Sequence, residues 1–224
     1  MLYDFLNKCA LPQQCLLCAA AATEPVCAAC HQQLPWLTGT GCPRCALPTP
    51  AGEICGACLK HPPRFDRVRA AAAYASPLAE LIRVYKYQGA LVLAPLFAQM
   101  LLPCVDSATV DLIIPLPLSR ERLRERGFNQ ALEIARHVGR TTGISVNPHA
   151  CRRVRDCAPQ AALPWDERAK NIRGAFACAS DVTGMRVAVV DDVLTTGATL
   201  NEIAKTLKRA GAVAVEGWVL ARTL

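Results

Sequence analysis

The sequence predicts an α/β protein with a mostly parallel, doubly wound sheet, preceded by a small cysteine-rich module. Three observations lead to this prediction. Eight of the thirteen cysteines form C-x-x-C pairs, and all eight precede residue 60. From residue 65 onward, strand-like stretches alternate with stretches of helical periodicity, as they do when helices connect parallel strands. The clearest predicted strand, residues 185–190, leads through a polar turn into a helix.

The N-terminal part needs a source of stability other than an ordinary apolar core. Residues 11–63 show no helical periodicity and contain many glycines and prolines. Bound metal can hold such a segment together. The His-Pro-Pro stretch at residues 61–63 predicts a linker or a turn. We therefore predict a cysteine-rich module at residues 1–63 and an α/β domain at residues 64–224.

The spacing of the cysteine pairs predicts zinc. Two C-x-x-C pairs about ten residues apart can supply four thiolates to one tetrahedral Zn²⁺. Eight residues separate the first two pairs and nine separate the last two, so we predict two structural zinc sites, paired in sequence order. Interleaved pairing and redox-active thiols without metal are the alternatives. The predicted ligands are Cys15, Cys18, Cys27 and Cys30 for one site and Cys42, Cys45, Cys55 and Cys58 for the other.

Hydrophobic periodicity places the elements of the second part. Leu78, Leu81, Ile82 and Tyr85 keep helical spacing, and Gly211 is a typical helix stop. The predicted elements are strand 68–74, helices 78–87 and 91–102, strand 110–115, helix 129–139, strand 185–190, a helix through residues 200–207 and strand 213–220.

The segment at residues 187–200 reads VAVVDDVLTTGATL and predicts a ribose 5-phosphate site. Asp191 and Asp192 follow a buried strand, where parallel sheets bind ligands, and carboxylates accept bonds from sugar hydroxyls or attract Mg²⁺. The glycine and the hydroxyls before the next helix suit a phosphate at the helix N-terminus. The alternative is that Asp192 caps a helix and the threonines line a turn. The predicted phosphate ligands are Leu194, Thr195, Thr196, Gly197, Ala198 and Thr199.

This segment resembles the phosphoribosyl pyrophosphate fingerprint of type I phosphoribosyltransferases. Residues 124–130 read RERGFNQ, and Pro159-Gln160 is followed by Arg168, Asn171, Gly174 and Phe176. Together with the paired cysteines, these stretches resemble the ComF/GntX family, which is associated with natural transformation and the uptake of single-stranded DNA. The resemblance covers nearly the whole chain.

The resemblance implies a type I phosphoribosyltransferase fold that binds phosphoribosyl pyrophosphate, with Mg²⁺, through Asp191, Asp192 and residues 194–199. It also implies that the turn at residues 115–119 lies near the pyrophosphate and that Gln160, Arg168 and Asn171 anchor a loop over the site. The last predicted strand ends four residues before Leu224, so any cover over a nucleobase is expected from the N-terminal module or from residues 65–87.

The arginine-rich block before residue 130 predicts further ligand contacts. Arginine matches the oxygens of pyrophosphate or of a DNA backbone. We expect a ligand-facing loop in which Arg124, Arg126 and Asn129 contact the ligand, with Arg126 the strongest candidate. The alternatives are a solvated charged segment for the arginines and a helix cap for Asn129.

Composition leaves several functions open. The net charge of +7 is compatible with an anionic ligand or with nucleic acid. Residues 1–8 show no secretory signal, and the apolar stretch at 90–102 is too short to span a bilayer, so we expect a cytoplasmic protein without membrane insertion. We retain three hypotheses: a phosphoribosyltransferase, a non-catalytic protein that binds nucleotides or single-stranded DNA, and an adaptor whose zinc module docks a DNA-uptake helicase.

Overall fold

The computed structural model of the protein describes residues 13–155 and 172–224. In chain order its elements are β1 (Gln13–Gln14), β2 (Ala21–Ala22), α1 (Ala28–Gln32), α2 (Gly56–Lys60), β3 (Arg67–Ala73), α3 (Leu78–Gln88), α4 (Leu93–Leu101), β4 (Leu112–Pro115), α5 (Arg120–Arg126), α6 (Gln130–Thr142), β5 (Ser145–Val146), β6 (Cys151–Arg153), β7 (Phe176–Cys178), β8 (Arg186–Leu194), α7 (Ala198–Arg209) and β9 (Ala214–Arg222).

The core of the protein is a parallel five-stranded sheet in the order β3-β9-β8-β4-β5. Its central strands are apolar on both faces because helices cover both sides, as a parallel sheet requires. All strands run in one direction, so their carboxyl ends meet at one edge, where open α/β sheets bind ligands. The predicted α/β class with a mostly parallel sheet is confirmed.

The side chains of β8 alternate between two apolar clusters. Val187 and Val189 pack with α7, whereas Ala188 and Val190 pack with α3, α4 and α6. This alternation follows from the pleat, which points successive side chains to opposite faces. It also separates the two carboxylates that follow, because Asp191 lies on the same face of the strand as Val189, and Asp192 lies on the same face as Val190.

Each cysteine-rich segment packs on a different side of the sheet. The first ribbon (residues 13–34) adds Cys15, Val26 and Leu34 to the cluster beside α4. The second ribbon (residues 40–60) adds Cys42, Cys45 and Cys58 to the cluster beside α7. The linker between them pairs with the edge strand β3, because Leu37 N donates to Ala71 O at 3.1 Å and Ala73 N donates to Pro35 O at 2.8 Å.

Two local features differ from the prediction. The strand predicted at residues 185–190 continues to Leu194, since β9 pairs with it up to Arg222. The arginine block expected to be a loop is the helix α5. Ser119 begins this helix by accepting a bond from Arg122 N at 3.2 Å, and Gly127 ends it with a φ of 78°. Capping at both ends stabilises a short charged helix that periodicity does not reveal.

The strands β5, β6 and β7 were also absent from the prediction. Each spans only two or three residues, too short for a detectable alternation of apolar and polar side chains. Among the helices in the described ranges, none has both the length and the apolar character needed to cross a membrane.

Candidate functional site

A sharp turn joins the end of β8 to the start of α7. Gly197 precedes the helix with a φ of 80°, a conformation that side chains with a Cβ rarely adopt. A Cβ at this position would lie 3.5 Å from the ring of buried Phe65. Thr196 Oγ1 accepts a bond from Ala198 N at 3.3 Å and thereby caps the first turn of the helix.

The turn presents backbone donors without partners. Within residues 13–155 and 172–224, the amides of Thr195, Thr196 and Gly197 donate no hydrogen bond to a protein acceptor. They lie at the N-terminus of a helix of 12 residues, where the helix dipole favours an anion. Successive free amides at such an end form a ready site for a phosphate group. We call residues 194–199 the phosphate loop.

The Asp192 carboxylate is buried beside α3. The residue is 2% exposed, and its Oδ1 lies 2.8 Å from Lys86 Nζ. Its Oδ2 is buried without a hydrogen-bond partner among the described residues. A buried carboxylate oxygen without a donor is costly, so this atom is a natural acceptor for a ligand hydroxyl.

The Asp191 carboxyl is partly exposed and is held differently. Its Oδ1 accepts a bond from Asp192 N at 2.8 Å. Burial of the carboxyl and the nearby negative charge of Asp192 raise the pKa of Asp191 well above its ordinary value, although Lys86 opposes the shift. The pair therefore favours a single negative charge that faces Lys86. A protonated Asp191 can donate a hydrogen bond as well as accept one.

The arginine helix α5 contacts α3 directly after Lys86. The next residue, Tyr87, places its ring under the Arg126 guanidinium, with the Cζ atom 5.6 Å from the ring centroid. Arg126 Nη1 donates to Gln130 Oε1 at 2.6 Å. Arg124, two residues earlier in α5, is exposed. The two arginines predicted as ligand contacts thus lie at the end of α5 that contacts α3.

Asn129 uses both polar atoms of its side chain within the protein. Its Oδ1 accepts bonds from Ala131 N at 3.0 Å and Leu132 N at 3.4 Å, which caps α6. Its Nδ2 donates to Leu116 O at 3.0 Å. Asn129 therefore fixes the turn after β4, the turn that the family resemblance assigns to the pyrophosphate. Gln160, Arg168 and Asn171 lie outside the described residues.

The eight paired cysteines form two groups in sequence order. The sulfur atoms of Cys15, Cys18, Cys27 and Cys30 lie within 4.8 Å of one another, and so do those of Cys42, Cys45, Cys55 and Cys58. Zn–S bonds of about 2.3 Å in a tetrahedron place the sulfurs about 3.8 Å apart. The Sγ distances are 3.8 Å for Cys18 and Cys27 and 3.6 Å for Cys45 and Cys55. The residues fit two structural zinc ions.

Backbone amides prepare some of these sulfurs for metal binding. Burial disfavours the Cys15 thiolate, but amide donors that include Cys27 N at 3.4 Å lower its pKa to about 6. Burial and amide donors act in the same opposing way on Cys42, where the donors, Cys55 N among them, lower the pKa to about 7. A thiolate is the form that ligates zinc.

The sequence reasoning missed two residues at the site. Leu78, Ile82 and Lys86 are spaced four residues apart, so they lie on one face of α3. A lysine on this buried face indicates an acidic partner, and this was the signal that the sequence offered. Arg222, the last residue of β9, donates to the backbone of the phosphate loop. It gave no comparable signal, because its partners are carbonyl oxygens of distant residues.

Comparisons with known proteins agree with this architecture. Residues 6–59 match the double zinc ribbon domain, and residues 158–223 match the phosphoribosyl transferase domain. A solved purine phosphoribosyltransferase from Pyrococcus horikoshii Ot3 is similar at 21% identity, with coverage of 58% of this chain and 70% of that chain and a TM-score of 0.35.

Two relatives extend the match beyond single domains. The DNA utilization protein YhgH of Escherichia coli K12 is 35% identical, with 96% of this chain and 99% of that protein covered. Competence protein F of Haemophilus influenzae is 34% identical, with 76% of this chain and 79% of that protein covered. The chain contains both domain types and is similar to both relatives over most of its length. The protein therefore belongs to the ComF/GntX family.

Proposed function

We propose that this protein binds phosphoribosyl pyrophosphate or a related ribose phosphate, with Mg²⁺, at the carboxyl end of β8. One observation carries the proposal: an acidic pair and three unpartnered amides lie at opposite ends of a single strand-to-helix turn. The acids suit the sugar hydroxyls, and the amides suit the 5-phosphate. We further propose that this occurs in the cytoplasm, during the handling of single-stranded DNA.

The site has the groups that phosphoribosyl transfer needs. Positive charge develops at the anomeric carbon as pyrophosphate leaves, so the protein mainly holds the sugar and stabilises charge. Asp191 and Asp192 offer the hard oxygen ligands that Mg²⁺ prefers, and bound Mg²⁺ would neutralise the pyrophosphate. Arg126 lies over the ring of Tyr87, which follows Lys86 in the chain, and can contact the leaving group. Lys86 Nζ lies 2.8 Å from Asp192 Oδ1 and offsets negative charge in the buried site.

Titration with phosphoribosyl pyrophosphate and Mg²⁺ tests the proposal. We expect saturable binding by the wild type and a loss of affinity of about tenfold or more in Asp191→Asn, since Asn, unlike Asp, cannot become an anionic oxygen ligand for Mg²⁺. Glu80 is an exposed acid on α3 and is not a predicted ligand. Glu80→Gln is therefore the matched control and should bind like the wild type. Absence of wild-type binding, or equal binding by all three proteins, contradicts the proposal.

Pyrophosphate release separates an enzyme from a binding protein. If the protein is a phosphoribosyltransferase, a suitable acceptor will release pyrophosphate with saturation kinetics, and Asp191→Asn will reduce the rate. If it is a binding protein that kept the pocket, saturable ligand binding will persist without release for every acceptor in a panel of nucleobases, amines and oligonucleotides.

An arginine cluster favours single-stranded DNA as a second ligand. Arg152, Arg155 and Arg173 are exposed around the β6–β7 pair. Arg155 Nη2 donates to Arg173 O at 2.6 Å, and Arg153 Nε donates to Arg155 O at 3.3 Å. These bonds hold several positive charges within a small area, which suits a polyanionic backbone. The names of the relatives, which refer to competence and DNA utilization, also support this ligand.

Salt dependence tests the DNA proposal. Single-strand affinity should fall as salt rises, with a log–log slope of about −0.7 per phosphate contact. The triple variant Arg152→Gln/Arg155→Gln/Arg173→Gln should bind more weakly and give a shallower slope. A triple variant of Arg83, Arg136 and Arg140, which lie on α3 and α6, is the control with the same loss of charge. Equal slopes for the two variants would show that net charge, rather than this cluster, drives binding.

A further inference from the structure

Arg222 joins the second ribbon to the phosphate loop. The residue is 6% exposed. Its Nε donates to Cys45 O at 3.0 Å, and its Nη1 donates to Leu194 O at 3.1 Å and to Thr195 O. Nη1 also donates to Thr223 O at 2.6 Å. One side chain thus connects the backbone of a zinc ligand with the backbone of the first two residues of the phosphate loop.

The charge of Arg222 lacks a carboxylate partner. No acidic side chain among the described residues forms an ion pair with it. Burial of an uncompensated guanidinium is unfavourable, and carbonyl dipoles offset only part of this cost. One Zn²⁺ and four thiolates carry a net charge of two minus. The loaded second zinc site, which includes Cys45, therefore supplies the negative charge that the surroundings of Arg222 otherwise lack.

The first ribbon has no equivalent connection. Its buried residues Cys15, Val26 and Leu34 pack beside α4. Within the described residues, no hydrogen bond joins residues 13–34 to the phosphate loop. The two zinc sites share a ligand set, but only the second is linked to the proposed binding site by a charged side chain.

We propose that Arg222 is a positioning residue that couples zinc in the second ribbon to the conformation of the phosphate loop. Loss of this zinc removes the counter-charge and frees Cys45 O, so the guanidinium no longer fixes Leu194 and Thr195. Ribose phosphate binding then weakens, whereas loss of zinc from the first ribbon leaves the loop in place. The effect on binding rests on the proposed function; the effect on the loop does not.

Equivalent cysteines in the two ribbons provide the first test. Cys27 and Cys55 each open the second C-x-x-C pair of their ribbon, and both are partly buried. We expect Cys27→Ser and Cys55→Ser to lose one zinc ion per chain each. Only Cys55→Ser should weaken binding of phosphoribosyl pyrophosphate with Mg²⁺, by about tenfold, and increase hydrogen exchange at the Ala198 and Thr223 amides, which donate to Thr196 Oγ1 and Leu194 O of the loop. Equal effects of the two substitutions on the loop would overturn the proposal.

Substitution of Arg222 provides the second test. Arg222→Lys keeps the charge but cannot reach Cys45 O and the loop carbonyls together. We expect it to retain two zinc ions, to bind phosphoribosyl pyrophosphate about tenfold more weakly and to exchange faster at the Ala198 and Thr223 amides. Arg209→Lys, an exposed change on α7, should match the wild type. Wild-type exchange in Arg222→Lys would contradict the coupling.

Hydrogen exchange separates this inference from the proposed function. If the wild type binds no phosphoribosyl pyrophosphate, the proposed function fails, yet the coupling still predicts faster loop exchange in Cys55→Ser and Arg222→Lys. If the wild type binds the ligand and neither variant changes loop exchange or affinity, the coupling fails and the proposed function stands.

Discussion

The two faces of the central sheet carry different polar groups at the carboxyl end of β8. On the side of α3, Asp192 is buried and paired with Lys86. On the side of α7, the chain presents a partly exposed Asp191, unpartnered loop amides and a glycine with positive φ. The α3 face contains an internal ion pair, whereas the polar groups on the α7 face are available to a ligand. The difference indicates that an ion pair stabilises the α3 face, where Asp192 Oδ2 is also without a partner among the described residues, whereas the α7 face presents several polar groups outside any ion pair.

Zinc removal should have the largest effect and should separate the two faces. Cys15 and Cys42 are 3% and 2% exposed and belong to different clusters. Because metal binding contributes directly to folding, Cys15→Ser and Cys42→Ser should each lower the free energy of unfolding by several kcal/mol, on the order of 5. Hydrogen exchange should increase beside α4 in Cys15→Ser and beside α7 in Cys42→Ser. Identical exchange maps would show that the ribbons stabilise one common core.

Loss of Lys86 should have the next largest effect, and only on the α3 face. Lys86→Met leaves a buried carboxylate unpaired, which costs about 3–5 kcal/mol. Arg136→Met, which breaks the exposed pair with Glu133, should cost at most about 1 kcal/mol. Urea denaturation measures both changes. Equal losses in the two variants would mean that the buried pair of Lys86 and Asp192 contributes no more than an exposed pair.

A substitution in the phosphate loop should affect the α7 face more modestly. Gly197→Ala forces a Cβ into the left-handed region, which costs roughly 1–2 kcal/mol, and brings it to 3.5 Å from Phe65. Gly143, at the end of α6, has a similar φ of 77° with open space around it, so Gly143→Ala should lose similar stability. Only Gly197→Ala should also weaken ribose phosphate binding in a calorimetric titration. Equal binding by the two variants would argue against phosphate at this turn.

Local sequence patterns were sufficient for the parallel sheet and the two cysteine ribbons. Apolar periodicity locates strands and helices because it reports which side of an element is buried. Cysteine spacing locates zinc ligands because the metal restricts the geometry. The contacts of Lys86 and Arg222 depend on residues far along the chain; Arg222 and Cys45 are 177 positions apart. No local pattern encodes such a pairing, so these residues emerged only from the folded structure.

The α5 helix shows the opposite difficulty. Its arginines and glutamates alternate without an apolar face, so periodicity indicates a solvated segment. The helix depends on its ends, where Ser119 caps the first turn and Gly127 stops the last. Its role at the site likewise depends on one end, through the contact of Arg126 with Tyr87. Caps that act on a few backbone groups were therefore more informative here than the composition of the helix.

Titration of Asp191 is the most direct test of the difference between the faces. Burial first, and the charge of Asp192 second, raise the pKa of Asp191 from its ordinary value to about 8. The folded protein then holds a proton that the unfolded chain has released, so stability decreases as the pH rises from about 4 towards 8. Asp191→Asn removes this decrease and should be more stable than the wild type at pH 8, but equally stable near pH 4.

The same substitution should weaken ribose phosphate binding, because the amide cannot replace the carboxylate towards sugar hydroxyls or Mg²⁺. A gain in stability with a loss of binding is the expected behaviour of a residue kept for function at a cost to the fold. Asp192→Asn should instead lose stability at pH 8, since it leaves Lys86 without its partner. If both asparagine variants change stability in the same direction, the two carboxylates share one environment and the contrast between the faces is wrong.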